Sequence, residues 1–249
     1  MKGLLALALL AVILGAGTAT AAKPKPPKLQ DYCVTRAERK NNAVQFKAAD
    51  GATLRGVLLG PRTSRRGVVI AHEGAGGLCN WLPYGRRLAR LGYRTLVFDL
   101  RGFVSSPRTR QRQGRHDLDV VGAARELRRR GVRRVALVGG SLGAMAVVAA
   151  APQIAPAVDG IIVASPGLVF RDLDAGAAAP GVRGPARFVV STDDGEFPYS
   201  TRTIYERASS ADKRLVLVPG TRHGYELVLS GDVASNRALF EEFLAKHLS

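Results

Sequence analysis

Aromatic residues make up only 6% of this 249-residue chain, and Asp and Glu number 20 against 37 Lys and Arg. Scarce aromatics argue against nucleic-acid recognition, which interleaves aromatic rings with basic residues or uses a recognisable module, and no such module is visible. The phosphate-cradling pattern G-x-x-x-x-G-K-[ST] is missing as well. After residue 22 no apolar run is long enough to span a bilayer, so the mature domain is expected to be soluble. No internal repeat is present.

What the chain does have begins at its N-terminus. Lys2, the apolar stretch Leu4 to Leu14 and the small residues Ala19-Thr20-Ala21 have the order of a secretory signal over residues 1–22. An uncleaved anchor is the competing reading, since residues 3–22 carry no charge; the linker Lys23 to Lys28 favours cleavage. The protein is therefore expected outside the cytoplasm, secreted or held in the periplasm or cell envelope. Losing residues 1–22 removes only Lys2, so a formal charge of +17 becomes +16. Arginines cluster at 62–66, 108–115 and 125–134. They stand either for a weak attraction to an anionic envelope surface or for a solvated surface with a compositional bias toward Arg.

Export gives the two cysteines meaning, because such compartments permit disulfides. A Cys33–Cys79 bridge would close a loop of about 47 residues, worth roughly 4 kcal/mol in the loop-entropy model. It would tie the N-terminal arm to the loop after the third strand. Two buried free thiols are the alternative.

From residue 43 onward, strand and helix patterns alternate. Ala43 to Ala48 and Thr53 to Leu59, separated by Asp50-Gly51, read as a β-hairpin. Strands are expected at 67–71, 93–98, 133–138, 160–164, 187–191 and 214–218. Helices are expected at 81–91, 117–130, 144–150, 200–208 and 232–247. Such alternation with short connections implies a mostly parallel sheet with helices on both faces. Ligands of such sheets gather at the carboxyl ends of the strands.

The polar residues that stand out all follow strands. Gly139-Gly140-Ser141-Leu142-Gly143 lies between an apolar run and a small-residue helix pattern. A serine there sits on a tight turn with its hydroxyl above the sheet, and the glycines are required because a side chain would strike a neighbouring strand or helix. Serine is a poor nucleophile without a base. His223, in the loop after the last strand, is the candidate, ahead of His72, His116 and His247. An acid must orient that imidazole. Asp193 and Asp194 are adjacent in one turn, so only one can point inward; Asp194 is preferred, with Glu196, Asp172 and Asp174 as weaker alternatives. The oxyanion formed on attack needs N–H donors. Leu142, next to the serine, supplies one, and the loop His72-Glu73-Gly74-Ala75-Gly76-Gly77 the second, at Gly74 or, next, Ala75.

These residues together resemble the α/β-hydrolase family over about Asn41 to Leu248. The order Ser141, Asp194, His223 is that family's order. Ala71-His72-Glu73-Gly74 resembles its oxyanion stretch, with Glu73 in place of a glycine. Asp99-Leu100-Arg101-Gly102 with Ser105 resembles its D-x-R-G-x-G-x-S turn, Val104 standing where a second glycine is common. Asp194-Gly195-Glu196-Phe197-Pro198 resembles its acid turn, and His223-Gly224 its terminal histidine loop. Glu73 is similar to dienelactone-hydrolase-like members, whose nucleophile is typically cysteine. The N-terminal pattern and the resemblance together give the expected organisation: a signal peptide (1–22), a linker and arm (23–40) and an α/β-hydrolase domain (41–249), only the last resting on the resemblance. It implies a serine esterase without metal or organic cofactor, acting on a small or accessible polymeric ester. About 22 residues between strands 160–164 and 187–191 are too few for a helical cap, so the site should be open. A peptidase or acyltransferase on the same scaffold, or a non-catalytic relative that binds envelope polyanions, are the rival readings.

Overall fold

A computed structural model describes residues 28–108, 114–229 and 234–249. The expected signal segment 1–22 and the first part of the linker lie outside the described residues. The first element, α1 (Arg36–Asn41), was not anticipated. It is six residues long and held by a capping box, Thr35 receiving the Glu38 amide while Glu38 returns to the Thr35 amide.

The hairpin follows as β1 (Ala43–Lys47) and β2 (Thr53–Leu59), with Ala43 opposite Val57 and Lys47 opposite Thr53. Then come β3 (Arg66–Ala71), α2 (Leu78–Arg90), β4 (Arg94–Asp99), α3 (His116–Arg129), β5 (Arg134–Gly140), α4 (Leu142–Ala150) and β6 (Gly160–Ala164). The chain continues through β7 (Val169–Phe170), β8 (Leu173–Asp174), α5 (Ala175–Ala178), β9 (Ala186–Ser191), α6 (Phe197–Arg207), β10 (Lys213–Val218), α7 (Glu226–Leu229) and α8 (Ala234–Leu248).

Eight strands form one sheet in the order β1-β2-β4-β3-β5-β6-β9-β10, while β7 and β8 make a separate small hairpin. β2 runs antiparallel to β1 and β4, and the remaining neighbours in the large sheet are parallel. Side chains alternate between two cores, as the two-residue period of a strand requires. Val69, Ala71, Leu137 and Val163 pack with α3, α4 and α6 on one face. Val68, Ile70, Val138 and Ile162 pack with α2 and α8 on the other. All nine residues of α4 are buried, which explains its uniformly apolar, small-residue composition.

Several boundaries differ from expectation, and each has a tertiary cause. α2 starts at Leu78 rather than Trp81, because the Asp99 carboxylate at the end of β4 accepts the Leu78 amide at 2.9 Å and caps the helix from across the sheet. Cys79 consequently lies within α2, not in a loop. It is bonded to Cys33, with Cα atoms 5.6 Å apart, and the bridge pins the N-terminal arm to that helix. α6 begins at Phe197 rather than Ser200, with Pro198 in its first turn, where a missing N–H costs nothing. β5 runs on through Gly139 and Gly140, which pair with Val163 and Ala164. The segment between β6 and β9 holds the β7–β8 hairpin and the four-residue α5 and no helical cap. The last helix starts at Ala234 among the described residues; Asp232, its expected beginning, lies outside them.

Candidate active site

Ser141 occupies the turn between β5 and α4 with φ 49° and ψ −114°, a conformation that costs an ordinary L-residue about 1–3 kcal/mol. Its surroundings over-determine that strain. The Ser141 amide donates to the Ala164 carbonyl at 2.9 Å, and its carbonyl receives the Met145 amide at 3.0 Å. A Cβ on Gly139 would strike the Gly143 backbone, one on Gly143 the Ala71 carbonyl, and one on Gly140 the Glu73 carboxylate. The pentapeptide therefore has glycine where backbone or a buried side chain fills the space.

The loops after β9 and β10 continue the pairing of those strands. Thr192 N–H donates to Val218 at 2.8 Å and Asp193 N–H to Gly220 at 2.9 Å. The Ser191 hydroxyl donates to the Arg222 carbonyl at 2.7 Å. This zipper carries Asp194 to His223: Nδ1 of the imidazole lies 2.9 Å from Oδ2 and 3.0 Å from Oδ1. With Nδ1 engaged by the carboxylate, Nε2 is the ring nitrogen with no hydrogen-bond partner among the described residues. The Phe197 ring, 4.2 Å from the imidazole between centroids, packs beside it. Asp194 is buried, whereas Asp193 and Glu196 are exposed. Asp193 receives its neighbour's Thr192 hydroxyl. Asp174 caps α5 through the Ala177 amide, and Asp172 is exposed. Neither is brought to His223.

Leu142 is the first residue of α4, so its amide has no partner within the helix. Gly74 lies beside it: a Cβ there would sit 3.6 Å from the Leu142 Cδ2. Both line one cleft of about 390 Å³ at the carboxyl end of the sheet, together with Arg101, Phe103 and Val104. Ala75 is exposed.

His72, by contrast, is completely buried. Its Nδ1 lies 2.6 Å from the Glu73 carbonyl, and its Nε2 accepts the Leu100 amide at 3.0 Å. Burial lowers its pKa to about 4, so it stays neutral and ties the β3 loop to the end of β4.

Glu73 is the contact that sequence reasoning missed. It is buried, and Oε1 accepts the Trp81 indole N–H at 2.8 Å and the Tyr225 amide at 2.9 Å. The same oxygen lies against both Gly140 and Gly224. One carboxylate thus abuts the residue before Ser141 and the residue after His223. Burial, its largest influence, raises its pKa, while the hydrogen bonds to it pull the other way. The available sequence signal was a lone acidic residue in a glycine-rich loop. Asp31, from the N-terminal arm, was missed too. It is buried, receives the Ser105 hydroxyl at 2.6 Å and stands beside Asp99. Asp99 is raised to about 7, first by burial and then by the Asp31 charge.

The hydroxyl of Ser141 makes no hydrogen bond among the described residues. No group of three or more His, Cys, Asp or Glu among them could hold a metal ion. Chemically, the arrangement offers an oriented imidazole, a strained serine one residue from the carboxylate that abuts the imidazole's loop, and a helix N-terminus beside a glycine loop.

A family model described as alpha/beta hydrolase fold matches residues 67–221. No curated protein matches the sequence significantly. Among solved structures, the Pyrococcus furiosus esterase Pf2001 aligns with TM-score 0.70 and 16% identity over 83% of this chain and 92% of its own. A dienelactone hydrolase from Anabaena variabilis aligns with TM-score 0.67 and 22% identity over 84% of this chain and 100% of its own. A proline iminopeptidase from Mycobacterium smegmatis aligns with TM-score 0.67 and 12% identity over 82% of this chain and 98% of its own. At such identities the likeness concerns the fold alone, and one scaffold carries both ester and peptide chemistry.

Proposed function

Because this chain belongs to the alpha/beta hydrolase fold family, we propose that it is a serine hydrolase that cleaves carboxylic esters through an acyl-enzyme. The observation that carries the reading is the Asp194–His223 pair, at 2.9 Å, delivered to the end of the sheet where Ser141 occupies its strained turn.

In this reading Nε2 of His223 takes the proton of the Ser141 hydroxyl as Oγ attacks the ester carbonyl carbon. Asp194 stabilises the imidazolium and keeps its ring in place. The carbonyl oxygen becomes an oxyanion and is met by the amides of Leu142 and Gly74. His223 then protonates the departing alcohol. Water, deprotonated by the same nitrogen, attacks the acyl carbon; the bond to Ser141 Oγ breaks, Nε2 returns that proton to Oγ, and the acid is released. The free hydroxyl of Ser141 turns toward Nε2 when substrate binds; such bonds commonly tighten only in the loaded enzyme.

Export belongs to the same proposal. The N-terminal pattern 1–22 and the Cys33–Cys79 bridge support an oxidising compartment. No helix among the described residues is long and apolar enough to cross a membrane.

The test is labelling and turnover of the purified chain. A fluorophosphonate probe should label the wild type and leave Ser141→Ala unlabelled, and the variant should fold yet lose p-nitrophenyl acetate hydrolysis. Activity retained by Ser141→Ala would refute the mechanism. Faster cleavage of aminoacyl-anilides than of esters would replace the esterase with a peptidase on the same residues.

A further inference from the structure

The cleft beside Gly74 and Leu142 has a one-sided charge. Its lining includes Arg101, Arg108, Arg171 and His116, and no carboxylate among the described residues. Arg101 is neutralised from behind, by Asp50 at 2.8 Å and Asp119 at 2.7 Å. His116 stands 3.5 Å from Asp119. Arg108 and Arg171 have no acidic partner among the described residues, and both are exposed.

Arg171 sits in a tight turn. Phe170 pairs with Leu173 in the small hairpin, so Arg171 and Asp172 form a two-residue turn. Arg171 has φ +53° at the first turn position, where glycine is the usual occupant because it alone has no Cβ to strain. The Arg171 side chain lines the cleft, with its guanidinium carbon 5.2 Å from the Phe170 ring centroid. Phe103, Val104 and Phe170 supply apolar wall between the cations. Val104 and Phe170 are partly exposed, at 52% and 45%, so a ligand body could cover them.

Resting on the esterase reading, we propose that the substrate is an ester one half of which carries a terminal oxyanion, a carboxylate or phosphate. The anion is held between Arg108 and Arg171 while the adjoining carbonyl lies at Leu142 and Gly74. Guanidinium groups bind such oxyanions by paired, charge-assisted hydrogen bonds. The apolar wall accepts the chain that joins the anion to the ester.

The experiment compares kcat/KM for charged esters and their uncharged counterparts. p-Nitrophenyl hemisuccinate, against its methyl ester, places a carboxylate on the acyl side. 4-Acetoxybenzoate, against its methyl ester, places one on the alcohol side, and 4-acetoxyphenyl phosphate substitutes a phosphate. At least one charged member should be preferred about tenfold or more, which corresponds to about 1.4 kcal/mol, and salt should erode the preference. The double variant Arg108→Gln/Arg171→Gly should bring the ratio near one. Arg171→Gly keeps a residue suited to positive φ, so the fold survives. Arg133→Gln, the loss of one positive charge on the exposed far end of the sheet, should leave the ratio alone, whereas Arg171→Gly by itself, also one charge, should lower it. No preference in the wild type, or a preference that survives in the double variant, overturns the proposal.

If no ester is hydrolysed and Ser141 is not labelled, the esterase reading fails by itself. The subsite is then judged by calorimetric titration of monomethyl succinate into Ser141→Ala. Saturable binding weakened tenfold by the double substitution supports it, and no binding overturns it.

Discussion

Replacing Glu73 separates a structural carboxylate from a dispensable one. In Glu73→Ala the Trp81 indole and Tyr225 amide lose the acceptor that stands 2.8 and 2.9 Å away. An abandoned buried donor costs about 1–3 kcal/mol. Trp81 is fully buried while Tyr225 is only partly so, and a cavity remains, so a loss of about 3 kcal/mol is expected. Glu73→Gln keeps the shape. Its carbonyl oxygen can accept both hydrogen bonds in place of Oε1, and its NH₂ meets the Asn80 amide, which can turn its oxygen forward. That variant should stay within about 1 kcal/mol of wild type.

The pH dependence carries a sign. Burial raises the folded pKa of Glu73 above 4.5, so across that window the native state holds more proton than the unfolded chain. Stability from this group therefore falls as pH rises from the ordinary carboxylate range through the raised value. Gln has no such titration. Urea unfolding at pH 4.5 and pH 8 should show the wild type losing ground to Glu73→Gln at the higher pH. The activity readout follows from geometry: the carboxylate abuts Gly140 and Gly224, so its removal lets the serine turn and the histidine loop move apart. A misplacement near 1 Å costs on the order of a hundredfold in rate, and Glu73→Ala should lose that much in kcat while Glu73→Gln recovers most of it. Equal stability of the Ala and wild-type proteins, or relative stability rising with pH, would refute the reasoning.

Two further outcomes follow from the N-terminal arm. Reducing the Cys33–Cys79 bridge, or replacing both with serine, frees a loop with a sequence separation of 46. That should cost about 4 kcal/mol and lower Tm by roughly 8–16 °C in scanning calorimetry with and without a reductant; an unchanged Tm would refute it. Asp99 is raised to about 7 by burial and by Asp31, so its contribution to stability declines from about pH 4 to about pH 7. Asp31→Asn removes the neighbouring charge and should flatten that decline, making the variant gain on wild type between pH 5 and pH 8; a variant that instead loses ground to wild type over that range would count against the pair.

Much of this architecture was legible before any coordinates. Short apolar runs at β3, β5 and β6, alternating with helix patterns, foretold a mostly parallel sheet covered on both faces, and glycines around Ser141 marked a turn crowded by its neighbours. These are local properties: a strand's period and a turn's steric limits depend on residues a few places apart. What the tertiary structure alone decided lies in the meetings of distant segments. Asp194 rather than Asp193 faces His223 because β9 and β10 keep pairing past their ends. Cys33 meets Cys79 where the N-terminal arm lies against the start of α2. Glu73 serves two loops because Tyr225, 152 residues away, donates to it. Register across the sheet and the filling of its two cores set which atoms touch, and no pattern within a single segment encodes that.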